Sequence, residues 1–160
     1  MTRIQTLGIV AAAVACAAAA IYLHDPPWVG GVTTGFRLWQ TDGRGDRFRW
    51  TTGRASFFVP SDTTAMTLRF RPLAPLSDKP ITVDVSVDDR QLATIELPDR
   101  LHPDPNLWVR TTLPLPWRPT SRRFRRVDLR VHRWREEFHQ GVQFGEVELE
   151  RPARQPLAVR

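Results

Sequence analysis

The sequence predicts an all-β protein, an antiparallel β-sandwich of jelly-roll type preceded by one N-terminal hydrophobic helix. Apolar and polar residues alternate with a period of two in segment after segment, which is the pattern of strands with one buried face. The 14 prolines fall largely at or beyond the ends of these segments, where a missing N–H group is harmless. Eight or so such strands with one apolar face each require two sheets packed face to face.

The first element is an uncharged apolar segment from Ile4 to Leu23. Twenty helical residues reach about 30 Å, which matches the hydrocarbon core of a bilayer. Because Arg3 precedes the segment and Asp25 follows it, the predicted topology is a single pass with the N-terminus inside. The segment is an uncleaved signal anchor, a cleaved signal peptide, or a lipoprotein signal modified at Cys16.

Each of these three outcomes places residues 25–160 outside the bacterial cytoplasmic membrane, in the periplasm or the extracellular space. Cys16 is the single cysteine, so no disulfide is expected in the exported part. The predicted organisation is a signal anchor or signal peptide (1–24), a linker (25–35), the β-sandwich domain (36–150) and a flexible tail (151–160).

The strands of the first half begin with two short ones, "GFRLWQ" and "RASFFVP". In "AMTLRFRP" the apolar residues face one way and the polar residues the other, and the same holds for "ITVDVSV" and "QLATIELP". Asp88 and Asp89 separate the last two segments and tolerate turn conformations, so they predict a hairpin. The inward residues are Met66, Leu68 and Phe70, then Ile81, Val83, Val85 and Val87, then Ala93, Ile95 and Leu97.

The second half alternates in "LWVRTTLPL", "RVDLRVH" and "GVQFGEVELE", where Gly145 suggests a bulge. The inward residues here are Val109, Thr111, Leu113 and Leu115, then Val127, Leu129 and Val131, then Val147 and Leu149. The polar residues on the opposite faces are expected to reach solvent.

The net charge of +6 is carried by arginine, since Lys79 is the only lysine among 23 basic residues. Acidic residues are interspersed with the arginines, whereas a nucleic-acid-binding surface concentrates basic residues on one face. The stretch "RRFRRVDLRVHRWREE" at 122–137 is interpreted as a strand with a basic approach loop that contains Arg122, Arg123, Arg125 and Arg126. Outward charges of this strand are expected beside the glutamates of "GEVELE". The polyanions expected to bind these arginines are lipid headgroups and acidic glycans. No nucleic acid is expected as a partner.

Five segments together resemble the small β-sandwich domains that occur outside the membrane in bacterial envelope polysaccharide systems, including those appended to glycosyltransferases. They are "FRWTTGRASFFVP", "MTLRFRP", "ITVDVSVDDRQLATIELP", "VDLRVHRW" and "GVQFGEVELE". The resemblance covers residues 36–150, and its most recognisable parts are 49–53 and 141–147. It implies a non-catalytic fold like that of a carbohydrate-binding module, without the enzyme.

Tryptophans beside arginines are the best candidates for a binding site, because aromatic faces stack on sugar rings and polar neighbours bind the hydroxyls. The ligand-binding residues predicted on this basis are Trp117, Arg133, Trp134, Arg135 and Glu137. Trp39 and Trp50 are expected instead in the core or at a sheet edge.

No motif indicates catalytic, cofactor-binding or metal-binding residues, so a glycoside hydrolase is the weakest of the functional hypotheses. A structural calcium ion bound through "HPDPN" or "DGRGD" has no sequence signature and is left open. The favoured function is a membrane-tethered module that binds envelope glycans or assists polysaccharide assembly. The alternative is a structural module that docks to a membrane glycosyltransferase.

Overall fold

The computed structural model describes residues 3–72, 80–98, 104, 107–132 and 140–152. They form one α-helix, one short 3-10 helix and ten strands. In chain order these are α1 (Arg3–His24), the 3-10 helix η1 (Pro27–Gly31), β1 (Thr34–Phe36), β2 (Gln40–Thr41), β3 (Arg47–Pro60), β4 (Ala65–Arg71), β5 (Thr82–Val87), β6 (Arg90–Glu96), β7 (Val109–Pro114), β8 (Phe124–His132), β9 (Gln143–Gly145) and β10 (Glu148–Glu150).

The strands form two faces of a sandwich that share β3, and every pairing is antiparallel. Sheet 1 has the order β1-β3-β8-β5-β6. In sheet 2, β4 pairs with β7 along one edge and with both β9 and β10 along the other. The strand β9 also pairs with β3, and β3 pairs with β2. The first half of β3 belongs to sheet 2 and its second half to sheet 1. The predicted all-β antiparallel sandwich of jelly-roll type, with one apolar N-terminal helix, is confirmed.

The core lies between the sheets and contains the apolar side chains that alternation assigned to the inward faces of β4, β5 and β8, together with Phe57, Val142 and Phe144, which alternation had not assigned. Phe57 of sheet 1 and Phe144 of sheet 2 meet across the interface with ring centroids 5.6 Å apart. The predicted inward residues of β4, β5, β7 and β8 are buried or packed against this core. The two-period pattern therefore identified the buried face of each of these strands.

The predicted hairpin between β5 and β6 is confirmed, and its turn follows from local backbone chemistry. Asp88 and Asp89 have φ values of 50° and 62°, which matches the two-residue turn whose twist suits a hairpin. Asp88 also accepts hydrogen bonds through its carboxylate from the Arg125 side chain and the Arg126 backbone, at 2.9 and 3.1 Å. The turn is thereby fastened to the start of β8.

Three details of the strand prediction are wrong. "RASFFVP" is the end of a 14-residue strand, β3, because the Thr52-Gly53 region is a bend in a continuing strand and not a break. "GFRLWQ" is strand only at its two ends, in β1 and β2. Gly145 is the last residue of β9, where the pairing with β3 and β4 stops. The closing segment is therefore two strands, β9 and β10, and not one bulged strand.

The basic stretch also differs from its prediction. Arg125 and Arg126 lie inside β8, and Arg125 is only 4% exposed because its guanidinium binds Asp88 and the Pro116 carbonyl oxygen. The outward charges of β8 do not lie beside the glutamates, since the neighbours of β8 are β3 and β5. His132 instead contacts Asp84 at 2.6 Å.

The N-terminal helix is long and apolar enough to cross a membrane, although a signal sequence has the same properties. Residues 25–35, predicted as a linker, include η1 and the beginning of β1. A β-carbon at Gly30 would lie 2.5 Å from the Phe124 ring, so η1 packs closely against the start of β8.

Candidate functional site

An open cavity of about 850 Å³ lies beside β1, β2 and the first half of β3. This volume is within the usual range for small-ligand sites, about 300–1,000 Å³. The cavity, called here the Trp39 cavity, combines apolar surface with a few polar groups. Its principal side chains are Phe36, Arg37, Leu38, Trp39, Gln40 and Arg49.

Gly35 brings β1 against the bend of β3 and so sets the position of Phe36 at the cavity. Gly35 has a φ of +70°, and a β-carbon on it would lie 1.9 Å from the Arg54 carbonyl oxygen. Only glycine fits this combination of left-handed backbone and close approach. The register between β1 and β3 shifts at this point, where Phe36 pairs with Thr51.

Arg49 is the central charged group of the cavity and lies among aromatic rings. Its guanidinium carbon is 3.7 Å from the Phe36 ring centroid and 4.9 Å from that of Trp39. Aromatic faces attract a guanidinium through the ring quadrupole. Burial of the Arg49 guanidinium lowers its pKa from its ordinary value.

Arg49 nevertheless lacks an acidic partner within the described part of the chain. The ion pairs formed there involve other arginines. Among the described residues its side chain donates one long hydrogen bond, 3.4 Å to the Thr33 hydroxyl, and its buried Nε has no acceptor there. A partly buried charge without a counter-ion is costly in a folded protein. Arg49 is thus poised to accept an anion.

Trp39 and Leu38 supply the apolar part of the cavity and remain open to solvent. Trp39 is 41% exposed and Leu38 is 88% exposed. Arg47 also lies over the Trp39 ring, at 5.2 Å, but Glu146 neutralises it at 2.9 Å. The cavity therefore offers an accessible indole and, in Arg49, a guanidinium with no ion-pair partner among the described residues.

A second tryptophan cluster, on the outer face of sheet 2, is closed by charged groups. Trp108 lies under Arg69 and Arg71, whose guanidinium carbons are 5.0 and 4.6 Å from its ring centroid. These two arginines bind Asp46 and Asp42 at 3.3 and 3.0 Å. Unlike Arg49, both arginines have a carboxylate partner, although the buried Trp108 Nε1 has no acceptor among the described residues.

The loop "DGRGD" holds this cluster closed through a local turn. The carboxylate of Asp42 accepts hydrogen bonds from the backbone N–H groups of Arg44 and Asp46. Burial raises the pKa of Asp42, but these two N–H groups and the Arg71 guanidinium outweigh it and hold that pKa below its ordinary value.

The outer face of sheet 1 carries a shallow polar groove of about 390 Å³. Arg54 and Arg130 lie directly opposite each other in its floor, an arrangement in which like charges repel. Arg126 at one end is neutralised by Asp128 at 2.8 Å. On the neighbouring strand, hydrogen bonds from Thr94 and then from His132 lower the pKa of Asp84. The groove has charge but no exposed aromatic ring among its lining residues.

The predicted site residues are only partly placed by the structure. Trp117 is 84% exposed, in the connection between β7 and β8. Arg133, Trp134, Arg135 and Glu137 lie outside the described residues. Whether these five side chains converge therefore stays a prediction.

Sequence reasoning missed the Trp39 cavity because alternation does not show that Arg49 of β3 lies against the segment 36–40. Trp39 was assigned to the core or a sheet edge, and Arg49 was read only as part of a motif. Trp50 is buried as expected, at 7% exposure, and packs edge-on against Phe48. One signal was present: Leu38 and Trp39 are adjacent apolar residues, and adjacent residues of a strand cannot share its buried face.

Metal-ligand clusters were also sought in the described ranges. No group of three or more His, Cys, Asp or Glu side chains there is placed to hold a metal ion.

No protein-family model and no curated protein matches the chain. Several solved structures of carbohydrate-active proteins are loosely similar. A family 35 carbohydrate-binding module from an environmental isolate is 16% identical, with 76% of this chain and 93% of that chain covered and a TM-score of 0.42. The structure of CBM51-2 in complex with GlcNAc and INT domains from Clostridium perfringens ZmpB is 10% identical. The match covers 71% of this chain and 25% of that chain, with a TM-score of 0.41.

A two-domain esterase active on acetylated mannans is 14% identical, with 78% of this chain and 34% of that chain covered and a TM-score of 0.46. The chain spans about a quarter of the length of the Clostridium structure and about a third of the esterase. Because these TM-scores are below 0.5, the similarities do not identify a ligand for this chain.

Proposed function

We propose that this chain is a non-catalytic, membrane-tethered module that binds an acidic glycan of the cell envelope in the Trp39 cavity. The observation that carries the proposal is the unpaired, partly buried Arg49 guanidinium in a cavity bordered by an exposed indole. A carboxylate or phosphate group on a sugar supplies the missing counter-ion, and the sugar ring supplies the apolar face for Trp39.

The charge argument favours an acidic over a neutral ligand. A guanidinium already removed from much of its water gains more from an anion than one that is fully hydrated. A neutral hydroxyl leaves the positive charge uncompensated. Arg49 therefore sets the chemical class of the ligand.

The aromatic argument favours a sugar over a free inorganic anion. Pyranose rings stack their C–H faces on aromatic side chains, and Trp39 has two-fifths of its surface exposed. Gln40, in the same cavity, carries both a donor and an acceptor for hydroxyl groups. A free phosphate ion would leave the indole and Leu38 unused.

The N-terminal segment supports the proposed location. A helix able to cross a bilayer, followed directly by the domain, keeps the cavity on the outer side of the cytoplasmic membrane, where envelope glycans are assembled. An accessory role beside a polysaccharide-assembling enzyme is part of this proposal.

The experiment is an isothermal calorimetric titration of the full chain, held in detergent micelles, with soluble polysaccharides. The probes are a polyuronate, a teichoic acid and a neutral dextran. We expect binding of an acidic probe, loss of at least tenfold in affinity with Trp39→Ala, and no change with the matched variant Trp117→Ala. Equal losses in both variants would argue against the cavity.

A second candidate function has one observation in its favour. Leu38 is 88% exposed and adjoins Trp39, and exposed apolar pairs are typical of protein-docking surfaces. This favours docking to a membrane glycosyltransferase. In that case Leu38→Asp abolishes co-purification of such an enzyme with the chain, while Arg49→Met does not.

A further inference from the structure

The C-terminal end of α1 is fastened to one particular end of the sandwich. Asp25, the residue after the helix, accepts a hydrogen bond from the Arg123 backbone N–H and lies 3.8 Å from the Arg123 side chain. A few residues later, Gly30 packs against the Phe124 ring. These contacts leave almost no free chain between the helix and the start of β8.

The length of the helix then fixes the height of this end above the bilayer. The 22 residues of α1 reach about 33 Å, against a hydrocarbon core of about 30 Å. Residue 25 therefore lies at headgroup level, and Arg123, which touches it, lies there too. This step rests on the proposed membrane tether but not on the proposed glycan ligand.

Two exposed tryptophans lie at the same end. Trp28 follows Asp25 within three residues and is 62% exposed, and Trp117 is 84% exposed. The Arg125 guanidinium holds the Pro116 carbonyl oxygen at 3.0 Å and so keeps the Trp117 loop beside the start of β8. Tryptophan is enriched at membrane interfaces because its ring is apolar and its N–H is polar.

The charges at this end favour anionic headgroups. Arg122 is exposed and Arg118 is half-buried, and neither has an ion-pair partner within the described ranges. Two carboxylates at this end already have basic partners: Asp25 has Arg123, and Asp62 has Arg151 at 3.9 Å. Arginines at headgroup level are attracted to anionic lipid phosphates.

We propose that this end of the sandwich is a docking face for anionic phospholipid headgroups, in which Trp28 and Trp117 enter the interface and Arg118 and Arg122 bind lipid phosphates. The domain then rests on the bilayer in one orientation and does not rotate freely on a tether. Trp117, predicted as a glycan ligand, acts here as a membrane contact.

The test uses the full chain in nanodiscs whose phosphatidylglycerol is brominated near the glycerol end of its acyl chains. Bromine quenches tryptophan emission only at short range. We expect quenching of the wild type, a smaller quenched fraction in Trp117→Phe, and almost none in the Trp28→Phe/Trp117→Phe double variant. Trp39→Phe is the matched control: it removes an emitter that lipid does not quench, so its quenched fraction does not fall below that of the wild type.

A headgroup arm checks the charge. Replacing phosphatidylglycerol with equally brominated phosphatidylcholine should lower the quenched fraction, and Arg118→Gln/Arg122→Gln should remove that lipid dependence. A chain that floats with the nanodiscs but has the same quenched fraction in the double variant as in the wild type refutes the docking face alone. A chain that does not float with them refutes the tether, and the docking face with it. Neither result bears on the Trp39 cavity.

Discussion

Replacing Arg49 with Met should separate binding from stability. Methionine has a similar length and packs well against aromatic rings, so the change removes the charge and the buried donor while retaining the apolar stem. Hydrogen bonds to charged groups contribute about 1.5–3 kcal/mol. The acidic-glycan affinity should therefore fall by about tenfold to about 150-fold.

The free energy of unfolding should change little in the same variant, since two effects oppose each other. Removing a buried donor without an acceptor relieves a cost of about 1–3 kcal/mol. Losing the contacts to Phe36 and Trp39, at 3.7 and 4.9 Å, costs about 0.5–1 kcal/mol for each ring. The net change is expected to lie within about 1 kcal/mol of the wild type.

The assay pairs calorimetric titration with urea unfolding followed by tryptophan fluorescence, on the full chain in micelles. Arg54→Met is the control, because it removes the same charge from the groove on sheet 1 and relieves its repulsion with Arg130. The reasoning is refuted if Arg49→Met binds within threefold of the wild type, or if Arg54→Met is the variant that loses affinity.

Three further predictions concern the fold. Arg125→Ala should destabilise by about 2–4 kcal/mol because it removes a buried guanidinium from its carboxylate and carbonyl partners, whereas the exposed Arg126→Ala should cost at most about 1 kcal/mol; similar urea midpoints would contradict this. Gly35→Ala should lower the melting temperature sharply because its β-carbon meets backbone at 1.9 Å, while Gly43→Ala, with open space around it, should not. The Asp84 carboxyl has a pKa below its ordinary 3.8, so its contribution to stability is present above pH 3.8 and is lost as the pH falls below that value. The unfolding free energy of Asp84→Asn should thus fall less steeply with acidification, and parallel curves would exclude this role.

The strand faces could be predicted because alternation is a local property. Residues such as Leu68 and Val85 point inward wherever their strand is placed in a sheet, so the pattern alone identified them. The turn at Asp88-Asp89 was accessible for the same reason, since aspartate tolerates left-handed backbone.

The buried arginine was not predictable, because its partners come from other segments. Arg125 occupies an inward position of β8, where alternation predicts an apolar side chain. Only the fold brings Asp88 from a hairpin and Pro116 from a loop to its guanidinium. Arginines in a basic run look alike until their neighbours in space are known.

The Trp39 cavity was hidden for a related reason. Phe36 and Arg49 lie on different strands and meet because of the close approach of β1 to the bend in β3. Trp39 is 41% exposed and Trp50 only 7% exposed, although both lie in segments whose sequence resembles a strand. A single sequence carries no measure of that difference.

The central claim is that an unpaired Arg49 selects an acidic glycan, and one measurement tests it most directly. The affinity of the full chain is measured for a polyuronate, for a teichoic acid and for the same polyuronate with its carboxyl groups reduced to alcohols, all at physiological salt. We expect the polyuronate or the teichoic acid to bind at least tenfold more tightly than the polyuronate with reduced carboxyl groups. Equal affinity for the reduced polymer, or no binding of any of the three, would contradict it.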